Sequence, residues 1–245
     1  MRVKYLFVLL LLFVYLTGCT SEAFKQNISE GDEKLKNEQY GEAYQAYKKA
    51  FDEEPNNKDA KKKVDEAKAK YIEKVKSLNL EIIASSAIAE KLIGSYSKLW
   101  LVAIEDGVRL EEFAEALNTS TSTVNPIIGE FNYGVGLLEN NEFSKVRDFN
   151  EAIAIAIKYY DKQGDLESLK KSREKIQSSI KELAFPPQAY QSIYDETFNL
   201  YNNYEKYIDL AIQPTGSLSS FSNNAQTLAS DIISGTKSVS AKLPQ

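Results

Sequence analysis

Apolar residues recur along most of this chain in alternating steps of three and four, the spacing of a stripe on an α-helix. Val64, Ala67, Tyr71, Val75 and Leu78 form one stripe, and Ile128, Phe131, Val135 and Leu138 a second. Val146, Phe149, Ile153, Ile157 and Tyr160 form a third. Leu166, Leu169, Ile176, Ile180 and Leu183 make a fourth, interrupted by Arg173. Tyr190, Tyr194, Thr197, Tyr201, Tyr204 and Ile208 continue the series, and Leu218, Phe221, Ala225, Leu228 and Ile232 end it. Narrow stripes of this kind favour near-parallel helices that meet along seams. The expected fold class is therefore all-α, with the long helices in an antiparallel bundle.

Breaks in the pattern divide it. From Lys58 to Ile104 there is no proline and one glycine, Gly94, which fits one long helix or two nearly collinear ones. Asp106-Gly107 is the first plausible break. A short acidic helix over residues 108–117 follows, and the polar run Asn118 to Pro126 reads as a loop. Pro186-Pro187 and Pro214-Thr215-Gly216 read as connectors, with Ser217 placed to cap the last helix.

The first 18 residues follow another rule. Arg2 and Lys4 precede an uncharged run, Tyr5 to Leu16, too short to cross a bilayer and followed by small residues. That is the layout of a secretory signal peptide. The run ends Leu16-Thr17-Gly18-Cys19, which resembles the lipobox of bacterial lipoproteins. The resemblance implies cleavage before Cys19, a diacylglyceryl group on its sulfur, and residence on the extracytoplasmic side of a cell membrane. More than one acyl chain holds a protein stably to the bilayer. Cys19 is the only cysteine, so no disulfide can form within the chain. About five residues are expected between Cys19 and the first helix.

Composition removes several functions. Without residues 1–18 the chain carries 28 basic against 35 acidic residues, a net −7 that disfavours nucleic-acid partners. The absence of histidine removes the commonest general base and zinc ligand and every Ser-His or Cys-His pair. The carboxylates lie scattered among lysines, as on solvated helix faces. No catalytic residue, metal site or cofactor is expected.

Residues Phe24 to Asn57 resemble a tetratricopeptide repeat, with Gly31, Tyr40, Ala43, Tyr47, Ala50 and Pro55 on its consensus places. Asn27 and Glu30 depart from the pattern in the first helix. The resemblance implies a helix-turn-helix unit, with Tyr40, Tyr44 and Tyr47 as candidate partner contacts if it has a binding face, and as hairpin packing if it does not. One repeat alone needs support, and the helix from Lys58 is the obvious one. That helix has eight lysines and four acids between Lys58 and Lys76, either a basic face toward anionic head groups or a solvated face. The expected organisation is thus 1–18 signal peptide, 19–57 anchor, tether and hairpin, and 58–245 helical bundle.

The tyrosines of the fifth stripe have two readings. Tyr194, Tyr201, Tyr204 and Tyr207, with Trp100, could line a ligand pocket or contact face, or could be bundle core with hydroxyls reaching water. Gly134 and Gly136 read as a close helix contact, since no Gly-Lys-Ser/Thr follows to make a phosphate loop. The run Phe185 to Asn224 is similar to small lipoproteins of low-GC Gram-positive bacteria, a resemblance that implies fold and origin but no activity. The leading functional expectation is a lipid-anchored, non-catalytic interaction or scaffold module that contacts another envelope protein. The alternatives are a small-molecule or sensory lipoprotein with a ligand between bundle helices, and a structural spacer.

Overall fold

In a computed structural model, residues 21–106, 108–131 and 149–244 are described. The lipobox Leu16–Cys19, Gly134, Gly136, Val135, Leu138 and Val146 lie outside them. The described residues form nine α-helices and no strand, an all-α fold. They are α1 (Glu22–Lys36), α2 (Tyr40–Glu53), α3 (Lys58–Asp106), α4 (Leu110–Ala116), α5 (Thr121–Phe131), α6 (Phe149–Lys162), α7 (Asp165–Glu182), α8 (Gln191–Ile212) and α9 (Leu218–Lys242). The chain divides into two compact units. The first holds residues up to Tyr71 together with Glu182–Gln188; the second holds Ile72–Lys181 and Ala189 onward. The boundary between these units falls inside α3, one helix of 49 residues whose first turns complete the hairpin.

In the first unit, Ser21 caps α1 by accepting the Phe24 N–H at 2.9 Å, and its hydroxyl reaches Glu53 at 2.7 Å. α1 and α2 pack as a pair on small residues. A Cβ on Gly31 would stand 2.3 Å from the Tyr47 ring, so only glycine lets that ring lie against α1. Ala43, Tyr44 and Tyr47 on α2 close a core with Val64 and Ala67 of α3. The return segment joins them: the Tyr71 hydroxyl donates to the Leu183 carbonyl at 3.1 Å, and a Cβ on Gly41 would meet the Ala184 carbonyl at 2.0 Å.

In the second unit, side-chain pairs fix helix direction. Ser85 meets Tyr204 and Tyr96 meets the Ala211 carbonyl, so α3 and α8 run parallel. Lys91 pairs with Asp165 and Glu81 with Lys175, so α7 runs against α3. Asn79 reaches Thr236 and Ser240 while Trp100 packs on Phe221, so α9 also runs against α3. The result is a bundle of α3, α7, α8 and α9. On its side, α6 places Tyr160 against Ser95 and Tyr96, and Glu130 of α5 pairs with Lys158 and Lys162 of α6.

Several expected elements hold. The stripe Val64, Ala67, Tyr71, Val75 and Leu78 is buried, as are Leu166, Leu169, Ile176, Ile180 and Leu183. Arg173 is tolerated within that fourth stripe because its guanidinium pairs with Glu205 at 2.7 Å and Asp209 at 2.9 Å. Ser217 caps α9, accepting the Ser220 N–H at 3.2 Å. The polar run 118–126 is a correction: only its start is a turn, with Asn118 at φ 52°, and α5 begins at Thr121. Serine and threonine there are helix-start residues. The Ser120 carbonyl accepts the N–H groups of Thr123 and Val124, and Val124, Ile127 and Ile128 bury the inner face around Pro126.

Candidate functional site

The tyrosine stripe of α8 is the second correction, and it moves the candidate site. The buried face of α8 is Ile193, Thr197, Leu200, Tyr204, Tyr207, Ile208 and Ala211. Tyr194 and Tyr201 are turned about one residue off it and are half-buried. Both stripes have helical spacing, but an aliphatic side chain enters the core without needing a partner, whereas a tyrosine hydroxyl must find one. Thr197 solves its own problem by donating to the Ile193 carbonyl at 2.7 Å. Tyr204 enters because Ser85 stands 2.9 Å from its hydroxyl.

The sequence-predicted tyrosines therefore separate into two kinds. Tyr44 and Tyr47 are hairpin core. Tyr47 is fully enclosed, donating to Asp32 at 2.7 Å, while Lys63 pairs with the same carboxylate at 2.5 Å. Burial, then the bond to Asp32, pushes the Tyr47 hydroxyl far up from its ordinary range. Burial works to raise the Asp32 pKa, but the bonds from Lys63 and Tyr47 outweigh it and hold that carboxyl below its usual value. Burial also pushes Tyr204 and Tyr207 up to about 12. Tyr44, Tyr47, Tyr204 and Trp100 consequently offer almost nothing to a partner in this conformation.

Tyr40, Tyr194 and Tyr201 remain partly open. Tyr194 and Tyr201 flank Phe198, which is 42% exposed, with ring centroids 6.1 Å apart on each side. This aromatic strip lies along one face of α8 at steps of four and three. Tyr194 stacks on Phe198 at 24°, and Tyr201 is tilted from it by 42°.

Sequence reasoning missed the second open surface, a groove between α3 and α9. Two adjoining hollows of about 430 and 270 Å³ run along it, both open to solvent. Ile83, Ala87 and Glu90 supply one wall, Ala229 and Ile233 the other, and buried Tyr207 lies at the base of both hollows. Ile83 is 45% and Ile233 56% exposed, an unusual position for large aliphatic side chains. The groove exists because small residues stand where the two helices would otherwise fill the space. No Cβ at Gly94 would meet anything within 4 Å. Alanine, serine and glycine give little periodic signal, so only the neighbouring isoleucines could have pointed here.

Among the described residues no three of His, Cys, Asp and Glu are grouped as a metal ion would need, and no helix is long and apolar enough to cross a membrane. No family model, curated protein or solved structure matches the chain. The described surface includes an aromatic strip and an apolar groove with a carboxylate on its wall.

Proposed function

We propose that this chain is a lipid-anchored protein of the extracytoplasmic face of a bacterial membrane and that it works by binding another envelope protein. The anchor reading rests on Leu16-Thr17-Gly18-Cys19 following an apolar run and two positive charges. The contact reading rests on one observation, the solvent-open groove with exposed Ile83 and Ile233 at its rims. Monomeric proteins rarely leave large apolar surface clustered without a use for it. A small-molecule site buries most of its ligand, and a groove open along its length does not. The hairpin fits the same reading as a unit resembling a tetratricopeptide repeat that holds a partner close to the lipid.

The mechanism is confinement. Only Thr20 and Ser21 separate Cys19 from the first residue of α1, so the tether can reach at most about 10 Å, with fewer residues than the five expected from sequence. A partner held by such a chain is concentrated in a thin layer at the membrane, which raises its encounter rate with membrane targets without any new chemistry. Two measurements test the proposal. Mass spectrometry of the mature protein should find Cys19 at the N-terminus carrying a diacylglyceryl group. Cys19→Ser should release the chain from membranes. An unmodified thiol on protein free in the medium, while other anchored proteins stay bound, refutes the anchor.

A further inference from the structure

The groove between α3 and α9 has features that specify its occupant. Along α3, Ile83, Ala87, Glu90 and Gly94 lie at steps of four, three and four, so the trough follows the helix for three turns, about 16 Å. Large residues at the rims and small ones between them make a row of holes. That is the complement of a helix carrying branched side chains at steps of three and four. The Oγ of Ser86, on the same wall, is buried without a hydrogen-bond partner among the described residues.

Charge narrows the choice. The other carboxylates facing between the bundle helices are paired: Glu81 with Lys175, Glu196 with Lys242, Glu205 with Arg173, Asp165 with Lys91. Glu90 lines both hollows, and no ion pair engages it among the described residues. A carboxylate on an apolar wall favours a cation from whatever lies there. It disfavours an anionic lipid surface. A second copy is disfavoured by symmetry, because a two-fold contact sets groove on groove and Glu90 near Glu90.

Building on the contact reading above, we infer that this groove is the docking site for a basic amphipathic helix of a partner envelope protein. Its branched apolar side chains seat between Ile83 and Ile233, and a Lys or Arg one turn along pairs with Glu90. The partner helix covers the two exposed isoleucines.

The test uses the full lipidated chain in the cells that make it, with a photo-crosslinking residue placed in turn at Ala229 in the groove and at Phe198 on the aromatic strip. The expected result is an Ala229 adduct whose crosslinked segment, mapped by mass spectrometry, is a basic amphipathic helix of another envelope protein. Glu90→Lys should lower that adduct about tenfold, and Glu90→Asp should largely preserve it. The melting temperature should be unchanged in both, since Glu90 is exposed and unpaired. Protein adducts from Phe198 but none from Ala229 overturn the groove assignment and leave the contact reading standing. Protein adducts from neither position count against both. An Ala229 adduct to a second copy of this chain, or one indifferent to Glu90→Lys, also overturns the inference.

Discussion

Tyr47 in the hairpin unit and Tyr204 in the bundle unit are both fully enclosed, yet they are enclosed by opposite means. The Tyr47 ring lies where a side chain on Gly31 would stand, in a cluster that also holds the small residues Ala43 and Ala67. Its hydroxyl ends on the Asp32–Lys63 pair, whose side chains are partly exposed. In the bundle the fully buried side chains include the large Leu78, Ile82, Leu92 and Leu99, and the hydroxyls of Tyr204, Tyr96 and Tyr160 end on internal groups: Ser85, the Ala211 carbonyl and Ser95. The hairpin is held by close approach, with the enclosed hydroxyl resting on a partly exposed ion pair. The bundle is held by bulk, with polar ends inside. Close approach is intolerant of any added atom, whereas bulk is intolerant of lost volume and lost hydrogen bonds.

That contrast orders the expected effects. Leu92→Ala in the bundle, where the side chain is fully buried, should destabilise by about 3 kcal/mol, measured by urea unfolding. Gly31→Ala should cost the hairpin about 2 kcal/mol. The Cβ clash with Tyr47 exceeds the roughly 1 kcal/mol that alanine adds to a helix. If hydrogen exchange shows α1 and α2 unchanged or better protected in that variant, the close-approach account fails. Tyr204→Phe should cost about 1.5 kcal/mol, because Ser85 is left buried without its partner. Tyr160→Phe should cost less, about 0.7 kcal/mol, since Ser95 keeps its bond to the Lys91 carbonyl. Equal costs for the two would break the comparison.

A further set of effects is in pH dependence. Tyr160, Tyr204 and Tyr207 have hydroxyls raised by burial from 10.0 to about 12. A raised pKa means their contribution is complete below pH 10 and is lost as pH climbs toward 12, so the bundle should loosen there. Asp32 has a lowered pKa, so its contribution to the hairpin is complete above its ordinary 3.8 and fades as pH falls below that. With no histidine, stability should be flat from about pH 5 to 9, as followed by circular dichroism. Asp32→Asn should change stability by only about 0.5 kcal/mol, because Asp32 and Lys63 are both partly exposed.

Much of the fold was legible because a periodic stripe reports burial directly. The stripes on α3 and α7 could be read residue by residue, and so could the Ser217 cap and the proline connectors. Two kinds of information were not legible. Where two stripes with the same period lie one residue apart, as Tyr194–Tyr201 and Ile193–Leu200 do, spacing cannot choose between them. The choice depends on whether a partner such as Ser85 waits across the helix, and that lies 119 positions away in sequence. The polar run before Pro126 failed for a related reason, since Ser and Thr signal a loop and a helix start alike. The candidate groove was invisible because it consists of what is missing between α3 and α9.

Residue order alone therefore determined the helical class, the proline connectors before α8 and α9, the Ser217 cap and which side of α3 and α7 turns inward, since these follow from spacing and capping within a few turns. Tertiary structure decided which α8 tyrosines are core, where the unit boundary cuts α3, and that Ile83, Glu90 and Ile233 share one groove. Those outcomes depend on distant side chains competing for the same volume and the same hydrogen bonds, a contest that local pattern does not record.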